Sequence, residues 1–252
     1  MSVTRLSLIG IGTGNPAHLT LEAIDAINAA RLILIPCKGE DKTDLADLRR
    51  AICATVLKNP STCLVEFDMP VRDAANPDYR AGVDDWHASI AASWAALLAQ
   101  HLSQGGEAAL LVWGDPSLYD STPRIAARLG LPVRLIPGIT AIQALTAAHG
   151  IMLNEIGAPF LVTTGRRLRD HGWPDGVDTL VVMLDGNCAF TTLPPEGIDI
   201  WWGAYLGMEA QLLRAGPLAS IGPDIVSLRA AARAAQGWIM DIYLLRRTAK
   251  AE

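Results

Sequence analysis

The chain of 252 residues reads as an α/β protein of two domains, the first on a mostly parallel sheet and the second on a mixed sheet. Three observations predict this. Short apolar runs alternate with amphipathic helical stretches through the first half, the rhythm of strand-helix-strand units. Beyond about residue 149 strands crowd together and helical stretches thin out. Several strand ends run into glycine-rich or Asp-Pro turns, and ligands of open parallel sheets bind beyond such carboxyl ends.

The first strand spans residues 5–11, an apolar run in which Gly10 and Gly12 let the backbone turn close to a ligand. A dinucleotide fingerprint would place its third glycine at position 15, opening a helix. This chain has Gly14 followed by Asn15-Pro16, and a residue before proline is steered away from helical geometry. The loop therefore runs on to Thr20, the expected N-cap of a helix over 21–30, with Glu22 complementing the helix dipole.

A short strand follows at 32–35, then a helix at 44–57, a strand at 63–67 and a polar Asp/Asn/Pro stretch at 68–78. A long Ala-rich helix is expected over 83–102, broken by Gly105-Gly106 before a strand at 108–113. The next helix is punctuated by Thr122 as N-cap, Pro123 at its first position and Gly130 just past its end. After a strand at 133–136, Pro137-Gly138 is expected to start a helix reaching residue 149. Strands are then expected at 160–164, 179–184, 198–205, 211–215 and 238–246, with helices only at 188–193 and 225–236. The domains are assigned as 1–134 and 135–252.

Composition narrows the function. Half of the residues are hydrophobic and 19% are charged, the balance of a compact enzyme. A formal net charge of −5 disfavours a nucleic-acid or acidic-membrane partner. No apolar run approaches membrane-spanning length, and the N-terminus leads straight into a strand without room for a signal peptide, so a cytoplasmic protein is expected. Cys37, Cys53, Cys63 and Cys188 share no Cys-x-x-Cys spacing and are expected to be small buried residues, with no metal site.

Four strand ends carry turn-forming residues: Gly10-Ile-Gly-Thr-Gly, Gly114-Asp-Pro-Ser-Leu-Tyr119, Pro137-Gly-Ile-Thr-Ala141 and Asp185-Gly186. Together with the Asn-Pro-x-x-Leu-Thr that follows Gly14, they resemble the tetrapyrrole (corrin/porphyrin) methylase family, over nearly the whole chain from Leu6 to Arg247. The resemblance implies two α/β domains with S-adenosylmethionine folded into the cleft between them. Carried over by position, the donor contacts fall on Gly12, Thr13, Trp113, Gly114, Asp115, Leu118, Thr140, Ala141, Leu184 and Leu206. The family often has proline at Thr13, a second glycine at Trp113, methionine at Leu184, and alanine or glycine at Leu206. Relatives acting on uroporphyrinogen have an acidic residue where this chain has Pro36.

The stretches Lys38 to His87, Met183 to Gly186 and Trp201 to Gly207 refine the implied reaction. It is methylation at C-1 of precorrin-5 with release of the acyl group as acetate, giving precorrin-6A and S-adenosylhomocysteine. Donor methyl and nucleophilic carbon must be held in line, and deacylation needs water and proton traffic. Tyr119, Asp115 and Lys38 are the candidates for that traffic. Arg166, Arg167 and Arg169 are candidates for the carboxylates of the tetrapyrrole, and Trp113 is a pocket candidate, whereas Trp201 and Trp202 fit strand packing. A homodimer is also implied. One alternative is another C-methyltransferase of the same family. A more remote one, a Rossmann-like nucleotide-binding module, would require NAD(P) and an acidic residue closing the second strand.

Overall fold

The computed structural model describes residues 4–37, 43–73 and 78–248, and Lys38 lies outside them. The chain divides into two compact units, Met1–Thr140 and Ala141–Glu252.

The first unit is built on five strands: β1 (Arg5–Gly10), β2 (Leu32–Cys37), β3 (Cys63–Asp68), β4 (Glu107–Val112) and β5 (Val133–Ile136). All pair in parallel, in the spatial order β3-β2-β4-β1-β5. Helices α1 (Leu21–Ala29), α2 (Thr43–Val56), α3 (Tyr79–His101) and α4 (Thr122–Ala126) connect them. Because strand side chains alternate, each central strand feeds two cores. Ile9, Ile11, Ile33, Ile35 and Leu111 pack with Ala23 and Ile27 of α1 and Ile52 of α2. Leu6, Leu8, Leu32, Leu34 and Leu110 pack with Ile90 and Trp94 of α3 and Ile125 of α4.

Helix starts follow local chemistry. Thr20 caps α1 as expected, its Oγ1 accepting from Ala23 N at 3.0 Å. The α3 helix begins before residue 83, because Asp78 caps it by accepting from Arg80 N and Ala81 N. Thr122 is not the cap of α4 but its first residue. Asp120 accepts from Thr122 N at 2.6 Å, and Ser121 holds the cap position without a side-chain bond. Gly130 closes that segment in the left-handed conformation.

The second unit carries β6 (Phe160–Thr164), β7 (Thr179–Met183), β8 (Ile198–Ala204), β9 (Leu212–Pro217) and β10 (Asp241–Arg247). Their order is β6-β7-β10-β8-β9, and only the β6–β7 pair is parallel. Trp202, Ile200, Val182 and Tyr243 pack with Leu218 and Ile225 of α7 (Leu218–Gln236). Helix α5 (Ala141–His149) packs on β8, β9 and β10. A Cβ at Gly203 would meet its Leu145 side chain at 3.0 Å.

Three helical expectations change here. The segment 137–140 is not helical, and α5 starts at Ala141. An unexpected helix, α6 (Gly165–His171), follows β6 directly, and residues 188–193 form only a short 3-10 turn, Ala189–Thr192. The α7 helix begins at Leu218 rather than 225. It carries Pro223 internally, where the carbonyl deprived of its helical donor belongs to exposed Ala219. Of the cysteines, Cys53 and Cys188 are buried but Cys37 is only partly so, and Cys63 is exposed on edge strand β3. Among the described residues no helix is long and apolar enough to cross a membrane.

Candidate functional site

In the first unit β1 and β4 lie side by side, yet their connections leave to opposite faces, β1 toward α1 and β4 toward α4. Such a divergence opens the sheet's carboxyl end to a ligand. The loops there are joined backbone to backbone. Gly114 N donates to Gly12 O at 2.8 Å, and Gly12 N donates to Gly114 O at 3.3 Å. A Cβ at Gly138 would stand 2.1 Å from Gly114 O and 2.8 Å from Gly10 Cα, so no side chain fits. Asp115 completes the junction. Its Oδ2 accepts from Gly138 N at 2.9 Å, and its Oδ1 accepts from Ser117 N at 2.7 Å and from the Ser117 hydroxyl. Burial pushes the Asp115 carboxyl up, but these hydrogen bonds outweigh it and hold the group below the usual carboxylate range.

The structure thus brings Gly12, Gly114, Asp115 and Thr140 together. Gly114 has φ 64, and a Cβ there would meet nothing nearer than Thr140 Cα at 3.9 Å. Thr13 is buried, with its Oγ1 3.5 Å from His18 Nδ1. Trp113 packs part-buried against the α1–α2 core, and Leu118 is half-buried in the same loop. Tyr119, the next residue, is 45% exposed and has φ 51. The start of α1 is no phosphate cradle, since Thr20 already takes an amide of its first turn.

A buried guanidinium, Arg49, also reaches this end of the sheet. On α2 its Nε donates to Leu111 O and its Nη1 to Leu45 O, both at 3.0 Å, which fixes the guanidinium near the carboxyl end of β4. Burial pushes its pKa down to about 10, opposed by Asp120. In sequence Arg49-Arg50 looks like a pair of solvated helix charges, and Arg50 is one, bound to Asp47 and Glu66 at the surface.

In the second unit Ala141 opens α5, Leu184 follows β7 and Leu206 follows β8. Leu184 is 65% exposed with φ 53, whereas Leu206 is buried against Gly203. Tyr205, beside it, also has positive φ, and its hydroxyl donates to Trp238 O at 2.6 Å. Asp185 is a buried hub: its Oδ2 accepts from Ala189 N and from the Tyr243 hydroxyl, both at 2.6 Å. Burial and then the Asp185 charge push the Tyr243 hydroxyl well above its ordinary range. Gly165 is required at the start of α6, since a Cβ there would stand 2.3 Å from Asp185 Cγ. Arg166, Arg167 and Arg169 lie exposed on α6, with Arg169 paired to Asp170. Trp202 is fully buried in the sheet core, and Arg246 lies over Trp201. Among the described residues no group of three or more His, Cys, Asp or Glu is placed to hold a metal ion.

Comparison with known proteins identifies the family and the fold. The family model of Tetrapyrrole (Corrin/Porphyrin) Methylases matches residues 5–222. A precorrin-6A synthase [deacetylating] from Sinorhizobium sp is 48% identical over 251 residues, covering 97% of this chain and 96% of its own. The crystal structure of a cobalamin synthesis related protein (CobF) from Corynebacterium diphtheriae is 40% identical with a TM-score of 0.82, covering 97% of this chain and 99% of its own. A uroporphyrin-III C-methyltransferase from Thermus thermophilus, solved with S-adenosylhomocysteine, shares the fold at 18% identity and a TM-score of 0.53, covering 96% and 97%. With its parallel first sheet, its mixed second sheet and a family match across most of its length, the chain belongs to the tetrapyrrole (corrin/porphyrin) methylases.

Proposed function

We propose that the protein is an S-adenosylmethionine-dependent C-methyltransferase that methylates C-1 of precorrin-5 and releases the acyl group as acetate, giving precorrin-6A. The observation that carries this reading is 48% identity, over nearly the full length of both chains, to a protein named for that deacetylating reaction. By resemblance to the family it works as a cytoplasmic homodimer, without nucleic-acid or membrane partners.

The strand-end residues suit the donor. Gly114 leaves open the space that a side chain would fill, and the buried Thr13 hydroxyl stands in the neighbouring loop. By resemblance to the family, the candidates for holding it are Gly12, Thr13, Trp113, Gly114, Asp115, Leu118, Thr140, Ala141, Leu184 and Leu206. When bound, S-adenosylmethionine supplies an activated methyl on its sulfonium. The protein's work is to orient that methyl and exclude water. Asp115 stays ionised and fixes the Gly114 and Gly138 loops, which is a positioning role. Tyr119, exposed beside this junction, is the group that guides water or a proton during deacylation. Lys38 is a third candidate for that traffic, and Arg166, Arg167 and Arg169 are candidates for substrate carboxylates.

The test is anaerobic turnover with precorrin-5, following methylated product and released acetate separately. Methylation without acetate would refute the deacetylating assignment and favour a family member acting on another carbon. In the same assay Tyr119→Phe should slow turnover by on the order of a hundredfold with unchanged donor affinity, since only the transition state loses an interaction. Wild-type rates would remove Tyr119 from the mechanism.

A further inference from the structure

Leu184 stands out as an exposed leucine in the left-handed conformation, with φ 53 and 65% of its surface open. A bulky residue held there costs on the order of 1 kcal/mol, so surrounding structure must over-determine it. The residues that follow are tied down from α7. From α7, the Arg229 guanidinium reaches beneath the turn, where Nη2 donates to Asp185 O at 2.9 Å and Nη1 to Gly186 O at 3.3 Å. Its other edge is locked by Asp241 of β10, with Nε on Oδ2 at 2.8 Å and Nη2 on Oδ1 at 3.2 Å. Trp202 Nε1 donates to the same Oδ2 at 3.0 Å. The Asp185 side chain turns the opposite way, to Tyr243 and to the amides of Asn187 and Ala189. Arg229 itself is buried, so these bonds are largely shielded from water. A buried arginine held by one carboxylate and spending its remaining donors on two consecutive carbonyls is a brace for that turn.

We propose that Arg229 is a positioning residue for methyl-donor binding, holding the Leu184–Gly186 turn in the one shape that presents Leu184 to the donor. This rests on the reading that Leu184 borders the donor. Arginine is needed because its planar fork spans two carbonyls and a carboxylate at once, whereas the single ammonium of lysine cannot.

The experiment measures S-adenosylhomocysteine affinity by titration calorimetry, and unfolding temperature, for wild type, Arg229→Lys, Tyr243→Phe and Ile225→Ala. Ile225 is fully buried in the apolar core on the same helix, so its truncation reports general destabilisation of α7. Arg229→Lys should weaken S-adenosylhomocysteine binding by about tenfold, the loss expected for hydrogen bonds made by a charged donor. Its KM for the tetrapyrrole should stay unchanged. Tyr243→Phe, which removes only the hydroxyl bond to Asp185, should weaken binding by a smaller factor and serves if Arg229→Lys fails to fold. Ile225→Ala should lower the unfolding temperature with donor affinity intact. Wild-type affinity in Arg229→Lys, or in Tyr243→Phe if the lysine variant fails, overturns the inference, as does equal loss in Ile225→Ala. If wild type itself binds no S-adenosylhomocysteine, the donor reading falls and takes this inference with it.

Discussion

Replacing Gly114 with alanine separates the fold from the donor site, because the two respond for different reasons. The residue sits at φ 64, and a Cβ there finds only Thr140 Cα, at 3.9 Å. Nothing has to move, so the fold loses only the left-handed penalty of roughly 1–2 kcal/mol. In a chain of this size each kcal/mol lowers the unfolding temperature by about 2–4 °C. Donor binding should suffer more. The new methyl takes the open space beside Gly12 and Thr140, and affinity for S-adenosylhomocysteine should fall by at least about tenfold, equivalent to roughly 1.4 kcal/mol. Gly130→Ala is the matched control, since Gly130 has φ 63, meets nothing within 4 Å and lies at the end of the α4 segment. It should cost the same stability and leave affinity untouched. Calorimetric titration and thermal unfolding of both variants give the comparison. Unchanged affinity in Gly114→Ala, or an equal loss in Gly130→Ala, would refute the placement of the donor at Gly114.

Two further outcomes follow from the same junction. Gly138→Ala puts a Cβ 2.1 Å from Gly114 O, against backbone that has nowhere to go, so thermal unfolding should show a loss of about 3 kcal/mol, at the upper end for overpacking; a wild-type unfolding temperature would refute that close approach. Asp115 has its pKa depressed in the folded state, so its contribution is present above the unfolded value near 3.9 and is lost as pH falls through the lower folded value. Asp115→Asn should therefore be less stable than wild type at neutral pH, with the gap closing below about pH 4, and a gap independent of pH would show that the ionised carboxylate is not what joins the loops.

The parallel first sheet was legible because its strands are apolar runs separated by helices with local start signals, such as Thr20 and Glu22 at α1. The strand-end loops were legible because glycine and proline punctuate them. What escaped depends on contacts distant in sequence. The α6 helix has a single buried apolar residue, Leu168, and opens on a glycine, so it has no helical periodicity to read. That glycine is dictated by Asp185, which is close only after folding. Pro137-Gly138 looks like a helix start by composition, yet Gly138 is there because Gly10 and Gly114 leave no room for a Cβ. The Arg229–Asp241 brace joins α7 to β10, and nothing local distinguishes its arginine from the exposed Arg233 on the same helix.

Backbone strain gives the site a signature that neither composition nor periodicity carries. Among the described residues, four that are not glycine adopt positive φ: Tyr119, Leu184, Cys188 and Tyr205. Each lies in a loop that follows the carboxyl end of β4, β7 or β8, and in the parallel first sheet that is the end at which ligands bind. Three of them are donor or catalytic candidates, or stand next to one: Leu184 itself, Tyr119 after Leu118, and Tyr205 before Leu206. Strain of this kind costs on the order of 1–3 kcal/mol per residue and persists only where the surroundings enforce it. In the second unit, groups that tie these loops down can be named: the Arg229 guanidinium on Asp185 O, and the Tyr205 hydroxyl on Trp238 O. Glycine would relieve the conformation at all four positions, but it would also remove the exposed side chains of Tyr119 and Leu184 and the inward hydroxyl bond of Tyr205. At Leu184 the Arg229 guanidinium on the two carbonyls that follow is the device that would keep an exposed leucine aimed at such a φ, and the Arg229→Lys titration decides whether the donor depends on that aim.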